Sequence, residues 1–290
     1  MDSFKFDDVQ KDLFSALLSQ SYDIETEEED LPFETGDSFG VIEEEDRRIL
    51  LHRESHFGGS FPVMLEYYER GDARGIHDEI SLSRIAFLAD VEKRLGRDIA
   101  PLILSGADAE KIAWSKKMYG DIQKTAQDNP QASLYSTLIL HEEEELQFTD
   151  KELMMLAQKP SILIMLASSD EFRDELAPGY GKAPFEAIRL IGRLKIKDAK
   201  EPLLRLLSIA EGEEEEELLI ALSSLGDELL EQACSFLSSK PLTPFHEKMA
   251  LLLLQFLPDP RVAVCAAKLL LDKEIQSSPL AKWLQLAIAE

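Results

Sequence analysis

Between residues 185 and 271 an apolar helix, a short turn and a second apolar helix come round three times, and this period constrains the fold more than any other feature of the chain. The first unit pairs 185–194 with 199–208. The second pairs 214–225 with 228–238 around Gly226 and Asp227, and the third pairs 245–257 with 261–271 around Pro258 and Pro260. Leu194, Leu225 and Leu257 mark the turns at steps of 31 and 32 residues; Leu207, Leu237 and Leu270 repeat later in each unit at steps of 30 and 33. A single hairpin of this kind cannot bury its own leucine stripe, so consecutive units must stack. Residues 279–289 read as the first helix of a truncated closing unit.

The segments AIRLIGRLKIKDAKEPLLRLL, LLIALSSLGDELLEQACSFL and LLLLQFLPDPRVAVCAAKLLL resemble a HEAT-like, armadillo-type repeat, over roughly the C-terminal third of the chain. The resemblance implies an α-α superhelix over 185–290, and a binding scaffold more often than an enzyme. It assigns no site residues, because such repeats bind through positions that follow no fixed motif.

Cys234 and Cys265, the only two cysteines, stand 31 residues apart at near-equivalent places on successive second helices. Helix axes pack about 8–10 Å apart, whereas a disulfide needs Cα atoms within about 7 Å. The spacing therefore predicts two small buried thiols at helix contacts. So low a cysteine content also excludes a disulfide-stapled secreted scaffold.

The first part of the chain is also helical in pattern but without a period. Apolar spacing predicts helices over 4–18, 43–57, 62–70, 80–95, 99–104, 109–127, 131–145, 149–159 and 161–168. Thr149 followed by Glu152 has capping-box spacing. Residues 23–42, rich in acids and broken by Pro32, Gly36 and Gly40, read as an acidic arm. Two prolines and two glycines in 177–184 suggest a hinge. The expected architecture is all-α: an irregular helical domain over 1–176, the hinge, then the repeats from 185 to 290.

Charge narrows the function. Asp and Glu number 56 against 31 Lys and Arg, a formal net charge of −25. Residues 1–60 alone hold 17 acids and 5 bases. Phosphate neutralisation needs a basic face, so nucleic acid is excluded as a partner, and anionic lipid surfaces repel such a chain. The longest apolar runs, 162–167 and 249–254, fall far short of the roughly 20 residues that cross a bilayer. The start has no basic region leading into an apolar one, so a cytoplasmic protein is expected.

Motifs for chemistry are scarce. His52 and His56 stand four apart, a half-site for a transition metal, but Arg53 occupies the place where a zincin has its glutamate. His77 or an acid would have to complete the site by folding. No phosphate-binding loop and no GxSxG elbow is present, and no motif calls for a cofactor. Phe57, Phe61, Tyr67, Tyr68, Trp114, Tyr119 and Tyr135 fall at helix-face spacing and read as core. Two acidic runs remain as partner-binding candidates: Glu142, Glu143, Glu144 and Glu145, and Glu213, Glu214, Glu215, Glu216 and Glu217. The expected function is a non-catalytic scaffold or adaptor whose acidic surface favours a basic protein segment. A metal-dependent enzyme at His52 and His56 and an acidic chaperone or secretion-associated regulator are the rival readings.

Overall fold

A computed structural model describes residues 43–70, 80–127, 129–141 and 146–289, and every regular element among them is helical. The helix expected over 4–18, the arm over 23–42, His77, and Glu142, Glu143, Glu144 and Glu145 lie outside the described residues. The chain divides into two compact units: Met1–Glu144 with Asp174–Gly181, and Glu145–Arg173 with Lys182–Glu290.

The first unit holds α1 (Glu44–His56), α2 (Phe61–Glu69), α3 (Leu82–Leu95), α4 (Ala100–Ile103), α5 (Gly106–Ala126) and α6 (Pro130–Leu140). Local chemistry sets their ends. Ser60, Ser81, Ser105 and Asn129 accept from backbone N–H groups in the first turns of α2, α3, α5 and α6. Gly96 closes α3 in the left-handed region. α1 is the centre of the unit, packing on both α3 and α5. It buries Ile49, Leu50 and Leu51, but also Asp46, His52 and Arg53. Each buried charge has a partner from a distant element. Asp46 accepts from Arg84 of α3 at 2.5 and 2.6 Å. Arg53, fully buried, donates to Glu92 at 2.5 Å, Asp98 at 2.5 Å and Glu54 at 2.7 Å, with its guanidinium 4.5 Å from the Phe61 ring centre. Arg47 donates to buried Asp108 of α5 at 2.6 and 3.1 Å. Burying a charge without such a partner would cost several kcal/mol, as an order of magnitude.

The segment expected to be a hinge contains the passage from the first unit to the second, between Gly181 and Lys182. Residues 176–181 are buried in the first unit, while Ala183 and Pro184 open a helix of the second. Ser115 of α5 donates to the Leu176 carbonyl at 2.6 Å. Gly179, Tyr180 and Gly181 all have positive φ, at 74°, 55° and 76°. A Cβ on Gly179 would lie 2.1 Å from the Ile139 carbonyl oxygen. The glycines serve backbone conformation and close approach. The boundary also moves, because Glu145–Arg173 packs with the second unit rather than the first.

That second unit comprises α7 (Asp150–Ala157), α8 (Pro160–Ala167), a 3-10 turn at Glu171–Arg173, α9 (Ala183–Leu194), a 3-10 turn at Lys197–Ala199, α10 (Lys200–Ile209), α11 (Gly212–Ser224), α12 (Glu228–Leu237), α13 (Phe245–Leu254), α14 (Pro260–Leu269), α15 (Lys273–Gln276) and α16 (Leu280–Ala289). Thr149 and Glu152 form the expected capping box on α7. α9, α11, α13 and α16 pack side by side in that order, and α8, α10, α12 and α14 each pack on the next member of that row. Leucine stripes account for this: Leu203, Leu204 and Leu207 of α10, Leu218, Leu219 and Leu222 of α11, and Leu229, Leu230 and Leu237 of α12 are all buried. Where α9 meets α11, Gly192 leaves space that a Cβ would fill to within 2.8 Å of the Ala221 Cα.

Cys234 of α12 and Cys265 of α14 form a disulfide with Cα atoms 6.1 Å apart, and both are half-buried. The expectation of two separate buried thiols is corrected by simple geometry. Each Cα lies about 2.3 Å off its helix axis, so residues facing each other across a contact approach about 4.6 Å closer than the axes do.

Candidate functional site

Gly212, at φ 59°, turns the chain from α10 into α11, and the five-glutamate run fills the first turn and a half of α11. Acids are favoured there because the helix N-terminus carries partial positive charge. The run then divides by helix face. Glu214 accepts from Arg173 at 2.6 and 3.1 Å, and Arg173 also donates to the Ala167 and Ser169 carbonyls at the end of α8. Glu215 pairs with Lys248 of α13 at 3.1 Å, and Lys248 also donates to the Ala210 carbonyl in the α10–α11 turn. Glu217 accepts from Arg189 of α9 at 2.6 and 2.9 Å. Hydrogen bonding to Glu217 holds the Arg189 guanidinium above its ordinary pKa.

Glu213 and Glu216 are exposed and have no ion pair among the described residues. They share one face of α11 with Ile220, spaced three and four residues apart, and Ile220 is 54% exposed. Ile209, at the end of α10, is 76% exposed. Thus Glu214, Glu215 and Glu217 hold α11 against its neighbours, while two carboxylates and an isoleucine face outward. The run was visible in the sequence; its division was not, because it depends on cations at 173, 189 and 248. Ile220 left one trace, as the apolar residue out of phase with buried Leu218, Leu219 and Leu222.

The histidine pair lies in the first unit with its rings 5.4 Å apart. His56 has both nitrogens engaged: Tyr119 O–H lies 2.8 Å from Nδ1, and the Glu175 carbonyl lies 3.0 Å from Nε2. A carbonyl can only accept, so Nε2 carries the proton and Nδ1 accepts from the tyrosine. Burial, with His52 beside it, pushes the His56 pKa down to about 3 against the opposing pull of Glu175. The Tyr180 ring lies 4.0 Å from that of His56. His52 is fully buried, its Nε2 3.7 Å from a Glu175 carboxylate oxygen. This arrangement keeps His56 neutral and fixed in place. Among the described residues no group of three His, Cys, Asp or Glu side chains is placed to hold a metal, and no helix is long and apolar enough to cross a membrane. Most of the aromatic set joins the core: Phe57, Phe61 and Tyr135 are buried, and Tyr67, Tyr68, Trp114 and Tyr119 are half-buried.

No family model, no curated protein and no solved structure matches the chain.

Proposed function

We propose that this chain is a cytoplasmic, non-catalytic scaffold, HEAT-like in its second unit, that binds a basic and partly apolar protein segment along the outward face of α11. The observation that carries the reading is the divided glutamate run: Glu213, Glu216 and Ile220 face solvent on one stripe, while the other three glutamates are paired inward. Those inward pairs fix the helix that presents the stripe, so little conformational freedom is lost on binding. Lysines or arginines spaced three to four residues apart on the partner, with one apolar side chain beside them, complement that stripe. The surrounding negative charge speeds encounter with such a segment and repels acidic competitors.

The test is a comparison of proteins retained from native extract by the wild type and by a Glu213→Lys/Glu216→Lys double variant. Both positions are exposed and unpaired, so the fold is expected to stand, which circular dichroism checks. The reading expects particular species to bind the wild type, weaken as salt rises, and disappear from the double variant, while Glu201→Lys on exposed α10 surface retains them. Identical retention by wild type and double variant rejects the α11 face as the docking site.

A further inference from the structure

Cys234 and Cys265 line a solvent-open groove of about 620 Å³ between α12 and α14. Leu230, Val264 and Leu269 supply apolar walls, and Lys268 stands at the same groove. The two cysteines are half-buried and line this open groove. The cross-link is not what packs the helices. α12 buries Leu229, Ala233 and Leu237 and rests on α13, while α14 buries Val262, Ala266 and Leu269 and rests on α16. Each helix has those apolar contacts in addition to the cross-link.

We propose that Cys234 and Cys265 form a thiol–disulfide exchange site, closed by low-molecular-weight disulfides and reopened by the corresponding thiols. In closing, one cysteine loses its proton and its thiolate attacks a sulfur of the small disulfide. A mixed disulfide forms and one small thiolate leaves, taking up a proton. The second cysteine, as thiolate, attacks the protein sulfur of the mixed disulfide. The Cys234–Cys265 bond forms and a second small thiolate leaves. The protein dithiol is oxidised by two electrons, and the small disulfide is reduced to two thiols. Opening runs the same steps backwards with small thiol in excess.

The neighbours distinguish the two sulfurs. On α14, Cys265 has Arg261 four residues before it and Lys268 three after, on the same helix face; on α12, Cys234 has Glu231 three before it. Asp227 and Asp259 already offset the Arg261 charge. Lys268 has no ion pair among the described residues, so its charge favours a thiolate at Cys265. Cys265 is therefore the first attacker.

The experiment uses the full chain without denaturant. Protein reduced with dithiothreitol and freed of it is mixed with oxidised glutathione, quenched by alkylation at intervals, and weighed by mass spectrometry; reduced glutathione is then added to the closed form. Complete closing and reopening with an unchanged helical circular dichroism spectrum is the expected result. Cys234→Ser, which keeps Cys265, is expected to take up glutathione several-fold faster than Cys265→Ser, with Lys268→Gln narrowing the difference. Thiols that stay unpaired in oxidised glutathione, or a bond that opens only in denaturant, overturn the exchange site. Equal rates in the two single variants overturn the assignment of Cys265.

Discussion

The two units of this chain are held together in different ways. In the first, single charges sit deep in the structure, each matched by partners from far away in sequence: Asp46 with Arg84, Arg53 with Glu92 and Asp98, Asp108 with Arg47. In the second, packing comes from leucine stripes repeated on successive helices, and the ion pairs lie nearer the surface, as between Arg189 and Glu217. A repeated apolar stripe spreads its stabilisation over many equivalent contacts. A buried charge concentrates it in one place, where loss of a partner leaves an uncompensated charge. Damage is therefore expected to be sharper in the first unit than in the second. The two tryptophans make this measurable, since Trp114 lies on α5 of the first unit and Trp283 on α16 of the second. Variants retaining one tryptophan report each unit's unfolding by fluorescence.

The largest effect is expected from Gly179→Ala. The methyl group meets the Ile139 carbonyl at 2.1 Å in a backbone already at φ 74°, so neither rotation nor a small shift relieves it. The expected loss is about 4 kcal/mol in the Trp114 signal, with the Trp283 transition unmoved. Gly192→Ala is the companion in the second unit. Its backbone is ordinary helix and the obstacle is the neighbouring helix at Ala221, so overpacking of about 2 kcal/mol is expected, in the Trp283 signal alone. A greater loss at Gly192 than at Gly179 would reverse the contrast between the units.

Removing one buried cation comes next. Arg53→Met keeps much of the side-chain volume but leaves Glu54, Glu92 and Asp98 without their shared partner. Glu92 and Asp98 are 27% and 55% exposed, so water recovers part of the loss, and about 3 kcal/mol is expected. Arg189→Met in the second unit removes a 45% exposed arginine from Glu217 and from Glu186, whose side chain is 11% exposed, and there a smaller cost of about 2 kcal/mol is expected. Urea midpoints of the two single-tryptophan forms check both values.

The same contrast explains what the sequence discloses. Apolar periodicity locates the helices of the repeats, the capping box at Thr149 and Glu152, and Gly96 as a helix stop, because each rests on neighbours within about one turn of helix. The helix EEDRRILLHRESH is mostly polar, yet it is the centre of the first unit. Its role rests on partners 38 to 61 residues away, which no local pattern encodes. Gly179 shows the same limit: its close approach to the Ile139 carbonyl, which leaves no room for a Cβ, is set by a distant backbone. At α11 the sequence marks the acidic run but not its two faces. At the cysteines the 31-residue step identifies the equivalent positions, and only the inward offset of Cα from the helix axis shows that they meet.

The last of these effects separates the units by pH. Unfolded His56 takes up a proton near pH 6.5, whereas in the folded first unit burial beside His52 defers protonation to about pH 3. Between those values the unfolded state binds more protons, so acidification favours unfolding. The stabilisation is fully present above about pH 6.5 and is lost as pH falls toward 3. From pH 8 to pH 5 the expected loss is about 2 kcal/mol, at about 1.4 kcal/mol per unit of pKa difference below the unfolded value. Most carboxylates are still ionised at pH 5, which keeps the window largely clear of them. His56→Gln cannot titrate, so the slope of the Trp114 midpoint against pH should flatten by that amount, although the variant starts less stable. The Trp283 midpoint should follow the same course with and without the substitution. If the Trp114 slope persists undiminished in His56→Gln, the histidine is protonated in the folded unit, and the buried, neutral polar centre that distinguishes the first unit from the second is not there.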